Sequence, residues 1–183
     1  MKWKDVREKI GTITDHYSMR EDQHELLYNY AMKVPKNGVV LEIGVCNGKT
    51  AALFALVGKE KGYKYYGIDN FSLEGTKADV DGHLQRLGVK GEIIETDSRT
   101  YDWKLPIDLL FIDGGHDEAN ISVDCEKYIP FVKKGGIVIF DDWALDETRA
   151  NPHWAVGHYG TIATEGWEDI CNEIYIRAFR RPE

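Results

Sequence analysis

The sequence predicts an α/β fold: a doubly wound, mostly parallel, Rossmann-like sheet of about seven strands, with helices on both faces and an antiparallel last strand. Three observations carry that expectation. An apolar run passes through a glycine loop straight into a helix over Val39-Val40-Leu41-Glu42-Ile43-Gly44-Val45-Cys46-Asn47-Gly48-Lys49-Thr50. Strand and helix patterns then alternate, an order that implies parallel strands. Ile107 to Ile112 is apolar at nearly every position, as expected of a central strand covered on both faces.

In chain order, Ser18-Met19-Arg20-Glu21 reads as a capping box, and Leu26, Leu27, Tyr30 and Ala31 follow on one helical face. That leading helix runs to about Met32, and Pro35-Lys36-Asn37-Gly38 ends it. Next come a strand from Val39 to Val45, a helix from Lys49 to Lys61, a strand from Lys64 to Ile68 and a helix aligning Val80, Leu84 and Leu87. A strand from Glu92 to Thr96 precedes the central one. Ile121, Cys125, Tyr128, Ile129 and Val132 form a helical stripe, which Pro130 and the turn Lys133-Lys134-Gly135-Gly136 bring to an end. A strand from Ile137 to Phe140, a short helix around Trp154 to Tyr159 and a last strand from Ile174 to Phe179 complete the pattern. One domain over 1–183 is expected, with a leading helical segment at 1–36, a ligand-binding core at 37–143 and a C-terminal part at 144–183.

With 183 residues, 43% of them apolar, the chain can bury a full core for one domain. Its net charge of −8 lacks the basic stripe that nucleic acid requires, so a small uncharged or cationic partner is expected instead. Cys46, Cys125 and Cys171 show none of the paired spacings that hold zinc and read as reduced thiols. No run approaches the length of a bilayer span, and no apolar stretch of signal-peptide length opens the sequence. The expectation is a cytoplasmic protein with no membrane partner. Assembly as a homo-oligomer is left open.

Gly44 and Gly48 permit torsions and close approach that a side chain would block, and the helix behind them offers unpaired N–H groups to a carboxylate or phosphate. A tight strand-to-helix turn is the alternative use of both glycines. Asp69 closes the next strand about 20 residues on, where doubly wound folds grip ribose hydroxyls, so an adenosine-containing ligand is expected. A nicotinamide fingerprint fails because Cys46 and Lys49 stand where it needs other residues, and a P-loop fails at Val45.

Acids mark every strand end in this half of the chain: Glu42, Asp69, Asp97, Asp113, Asp141 and Asp142. Ribose hydroxyls and an exocyclic amine would satisfy Asp69 and Asp97. Asp113, Asp141 and Asp142 converge with few basic residues nearby, and a hard divalent cation (Mg2+, Ca2+ or Mn2+) would relieve their repulsion. Strand-end aspartates also cap helices or shape turns, which is open for Asp142. His116, in Asp113-Gly114-Gly115-His116, is a candidate proton acceptor among these acids. Glu42 either clamps loop N–H groups or faces a ligand ammonium. Trp143, Trp154, Tyr159 and Trp167 either wall the pocket or pack in the core.

With those residues in view, the chain resembles class I S-adenosylmethionine-dependent methyltransferases, in particular the cation-dependent catechol-type and macrolide-sugar O-methyltransferases, over about Met19 to Trp143. Val39 to Gly48 resembles the first motif, Gly67-Ile68-Asp69 the ribose-binding second, and Thr96-Asp97-Ser98 the segment beside adenine. Leu110-Phe111-Ile112-Asp113-Gly114-Gly115-His116 and Gly135-Gly136-Ile137-Val138-Ile139-Phe140-Asp141-Asp142 are similar to the metal-carrying strand ends. The resemblance implies S-adenosylmethionine as cofactor, held by Glu42, Gly44, Gly48, Thr50, Asp69, Asn70, Asp97, Ser98 and Asp113. It implies a divalent cation, Mg2+ first, on Asp113, Asp141 and Asp142. His116 stands at the offset where catechol-type members carry a lysine base, so Asp113 and His116 become the expected catalytic pair. Methylation of a hydroxyl on a small sugar or phenolic acceptor follows. The alternatives are a nicotinamide-dependent oxidoreductase and a non-catalytic adenosyl-ligand-binding protein.

Overall fold

Every residue of β1 (Val39–Ile43) is buried, because it lies inside the sheet with helices above and below. The computed structural model describes residues 1–17, 19–143, 154–173 and 175–183. β1 pairs in parallel with β2 (Lys64–Asp69) on one side and with β4 (Ile107–Ile112) on the other. β3 (Glu92–Glu95) extends the sheet beyond β2, and β5 (Val132–Trp143) extends it beyond β4, both in parallel. β7 (Tyr175–Arg180) runs antiparallel to β5, and β6 (Glu168–Glu173) runs antiparallel to β7. The order is β3-β2-β1-β4-β5-β7-β6, a doubly wound sheet with its switch point between β1 and β4.

The last strand is antiparallel, as expected from sequence, and β6, which the sequence pattern missed, covers its outer side. That edge strand is acidic and lacks a clean alternation; ion pairs from Arg177 to Asp169 and from Arg180 to Glu168 tie it to β7. β5 also starts earlier than its apolar core indicates, at Val132, pairing there with Ile107 before a register shift.

On one face α3 (Lys49–Lys61) is buried continuously from Thr50 to Gly58. Such an all-round apolar helix needs cover on its outer side, and α1 (Trp3–Ile10) and α2 (Glu21–Ala31) provide it. The sequence pattern missed α1: Val6 and Ile10 are its only buried residues, one i,i+4 pair in a charged stretch. α2 begins at Glu21, with Arg20 as its N-cap and Gln23 Oε1 accepting from the Arg20 N–H at 2.8 Å. Gln23, not Glu21, thus closes the capping box; Ser18 lies outside the described residues. α4 (Lys77–Arg86) adds Val80 and Leu84 to this layer. The opposite face is covered by α5 (Glu118–Tyr128) and α6 (Trp154–Ala163), which pack Ile121, Tyr128, Ala155 and Val156 against Leu110, Val138 and Phe140.

Candidate functional site

A cavity of about 850 Å³ opens at the carboxyl ends of the strands, over the switch point. Glu42, Gly44, Thr50, Asp69, Asn70, Asp97, Ser98, Asp113, His116, Asp141 and Asp142 all line it. Gly48 does not. Its φ of +82° sets the turn into α3, and an added Cβ would strike the Val80 side chain at 2.8 Å, so its lack of a side chain serves packing. Gly44 is required for a similar reason: a Cβ there would lie 2.0 Å from the Asp113 carbonyl oxygen, where the parallel strands β1 and β4 end side by side. That pairing brings the glycine loop against the Asp113 loop.

Asp69 is bound by its own neighbourhood. Its Oδ2 accepts from the N–H groups of Val45 (2.6 Å) and Cys46 (2.8 Å), and its Oδ1 from Phe71 N–H at 2.6 Å. The carboxylate thereby fastens the glycine loop to the end of β2. Asp97 is held by Arg99, whose guanidinium reaches both carboxylate oxygens and keeps the Asp97 pKa below the usual range. Glu42 lines the cavity, and among the described residues its partner is a side chain of the neighbouring strand, not the loop N–H groups of the clamp weighed from sequence. It is 1% exposed and accepts from the Tyr65 hydroxyl, and burial pushes its pKa well up, favouring the neutral acid. Thr50 Oγ1 lies 3.4 Å from His24 Nε2, while His24 Nδ1 is 3.2 Å from the Arg20 carbonyl. The carbonyl assigns the ring proton to Nδ1, so Nε2 accepts from Thr50.

The other wall is crowded with acids. Burial plus the nearby carboxylates raises both Asp113 and Asp141: Asp113 well above its ordinary value, Asp141 to about 8. Gln23 Nε2 donates to Asp141 Oδ1 at 3.4 Å. Asp142, at φ +51°, turns its carboxylate toward His116, with Nδ1 at 3.1 Å. His116 Nε2 is 3.6 Å from Asp113 Oδ1, so the imidazole sits between two of the three acids. By donor chemistry this set fits a hard cation, whose charge would offset the repulsion among the three carboxylates. Its spacing is looser than its composition: among the described residues, the group with ligand atoms all within 4.8 Å is instead Asp15, Cys46 and Glu74.

Sequence reasoning missed the contribution of the segment between α1 and α2. Asp15, Tyr17, Met19 and Arg20 line the cavity, and His16 bonds Glu74 through both its backbone N–H and its ring. Tyr175, half exposed at φ +68°, lines it from the start of β7. No local pattern marks these residues, since tertiary packing alone brings them to the strand ends. Trp143 packs with Phe140 and Phe179 in the core, and Trp154, Tyr159 and Trp167 lie against that same layer, away from the cavity. Burial pushes the Cys46 thiol up to about 12, far from a nucleophilic thiolate.

Comparison with known proteins adds a second line. A family model described as a methyltransferase domain matches residues 41–143. An uncharacterized protein of Acanthamoeba polyphaga mimivirus is 29% identical over 153 residues, covering 78% of this chain and 66% of its own length. A methyltransferase of Podospora anserina, solved with S-adenosylhomocysteine bound, has a TM-score of 0.72 at 15% identity, covering 99% of this chain and 88% of that one. A putative caffeoyl-CoA O-methyltransferase from Staphylococcus aureus has a TM-score of 0.69 at 17% identity, covering 100% and 93%.

Proposed function

The chain belongs to the methyltransferase domain family, and from that premise we propose that it moves a methyl group from S-adenosylmethionine to a hydroxyl of a small molecule, sugar or phenolic, with a divalent cation. The observation that supports this best is the two-sided cavity. One wall is a glycine loop fastened by Asp69, and the other carries Asp113, Asp141, Asp142 and His116.

On the first wall, Asp69 keeps the loop and the start of α3 in place for the nucleoside, with Asn70, Asp97 and Ser98 continuing toward the base. Glu42 and Thr50 line the interior, where an amino-acid moiety would lie. S-adenosylmethionine supplies an activated methyl group, so the protein's task is chiefly to hold donor and acceptor in line. On the second wall, Asp113, Asp141 and Asp142 would hold the cation. A bound cation lowers the pKa of an acceptor hydroxyl. His116, fixed between Asp113 and Asp142, takes the proton that the hydroxyl gives up.

The test combines two measurements. Calorimetry is expected to give binding of S-adenosylhomocysteine, and a screen of hydroxylated metabolites with labelled methyl donor is expected to give a turned-over acceptor. Chelation is then expected to abolish turnover without weakening cofactor binding. Full turnover in thoroughly metal-free protein removes the cation from the scheme, and absence of any heat with S-adenosylhomocysteine at millimolar concentration removes the scheme itself.

A further inference from the structure

Two adjacent residues in the first turn of α2 reach opposite walls of the cavity. Gln23 Nε2 donates to Asp141 Oδ1 at 3.4 Å, while His24 Nε2 lies 3.4 Å from the hydroxyl of Thr50, in the first turn of α3. Both side chains are anchored on the same residue, the N-cap Arg20: its N–H donates to Gln23 Oε1 at 2.8 Å, and its carbonyl lies 3.2 Å from His24 Nδ1. Capping alone does not account for Gln23. A glutamate there would close the capping box equally well, and its charge would suit the helix N-terminus. It would also set an acceptor against Asp141, on a wall that already holds Asp113 and Asp142. Glutamine serves both ends. The Arg20 N–H can only donate, so it takes the amide oxygen, and the amide nitrogen is left facing the carboxyl. Gln23 is 8% exposed, so that nitrogen has to find its partner inside the protein. The donor it presents is neutral and orients Asp141 without bringing a positive charge that would compete with a cation.

We propose that Gln23 is a positioning residue that holds Asp141 from the first turn of α2 and, together with His24 on Thr50, couples cation binding at the acid wall to nucleoside binding at the glycine-loop wall. A ligand packed against Thr50 settles His24 and with it the Arg20 backbone, and the same backbone fixes Gln23 on Asp141. A cation on the acid wall acts along the same contacts in the other direction, because coupling between two binding sites is reciprocal. The inference rests on the nucleoside and cation reading of the cavity and adds to it the element through which the two sites act on each other.

The experiment measures by calorimetry the affinity for Mn2+ with and without saturating S-adenosylhomocysteine, and for S-adenosylhomocysteine with and without saturating Mn2+, in the wild type, Gln23→Met and Thr50→Val, with thermal unfolding in parallel. The wild type is expected to bind each ligand about fivefold or more tightly when the other is present, by the same factor in both directions. Gln23→Met keeps the length but removes the amide, and Thr50→Val keeps the volume but removes the hydroxyl; each is expected to bring that factor to within about twofold. A merely structural role would lower the separate affinities and leave their mutual factor in place. An unchanged factor in a folded Gln23→Met protein overturns the proposal. If that variant does not fold, an unchanged factor in Thr50→Val overturns it equally. Independent binding of the two ligands to the wild type sinks the inference alone, a distinct result from absence of S-adenosylhomocysteine binding or of Mn2+ binding, which removes the nucleoside or the cation reading and this inference with it.

Discussion

At the end of β2 the Asp69 carboxylate accepts from three backbone N–H groups, whereas at the end of β5 the Asp141 carboxyl faces Asp113 and Asp142. Both acids follow a buried strand into the same cavity, and only their surroundings separate them. On the β2 side, loops at positive φ turn N–H groups inward, Cys46 at +51° and Phe71 at +54° among them. These give the carboxylate its donors without any cation. On the β5 side His116 stands between the acids, and burial pushes the Asp113 and Asp141 carboxyls toward their neutral forms. The first wall is therefore complete as an internal structure. The second carries more acid than its own donors match, the condition expected where a charged partner binds.

Substitution on each side should have opposite consequences for stability, and this is the sharpest way to break the comparison. Asp69→Ala leaves three backbone N–H groups, two of them in the glycine loop, without their acceptor, and at about 1.5–3 kcal/mol for each bond to a charged group the expected loss is about 5 kcal/mol or more. Denaturant unfolding checks that value, and calorimetry should show S-adenosylhomocysteine affinity reduced about 100-fold, since the loop no longer holds its shape. Wild-type affinity in a folded Asp69→Ala protein would mean that the loop keeps its form without the clamp. Asp141→Asn should behave in the reverse sense in protein free of divalent ions. The wild-type pKa is raised from 3.8 to about 8, so its contribution to stability is fully present below about 4 and is lost as pH rises through about 8. The asparagine variant lacks that loss and should be more stable than the wild type at pH 8 by about 3 kcal/mol, allowing for the coupled titration of Asp113, while losing turnover. Added Mg2+ should narrow the gap by stabilising the wild type alone.

The same contrast explains what could be read before the structure was known. β1, β4 and α3 were legible because burial imposes local patterns: apolar runs broken by a single acid on inner strands and an apolar stretch after a glycine turn. The acids at the strand ends were legible too, since topology alone carries them to one cavity. Their partners were not. That Asp69 meets Val45 and Cys46, or that Gly44 passes within clashing distance of Asp113, depends on how two loops lie against each other, and neither loop encodes the other. α1 escaped because one buried i,i+4 pair is too short a signal, and β6 because an edge strand need not alternate. Asp15, Tyr17 and Tyr175 reach the cavity from segments remote in sequence, one of them preceding the recognisable motifs altogether.

The smallest expected effect concerns how the first wall is held from behind. His24 is 3% exposed, between the Arg20 carbonyl and Thr50, and burial with the nearby Lys49 charge lowers its pKa from 6.5 to about 4. The folded state therefore favours the neutral ring, which the Thr50 contact requires, because only an unprotonated Nε2 accepts from the hydroxyl. Unfolded chains take up a proton near pH 6.5 and the folded protein only near pH 4, so this contribution is present above 6.5 and is lost as pH falls toward 4. Between pH 7 and pH 5 the wild type should lose about 2 kcal/mol that His24→Gln, which does not titrate, retains. Unfolding curves of the two proteins at both pH values measure the difference directly, and parallel losses would mean that His24 is protonated in the folded state and that Thr50 is oriented by something else.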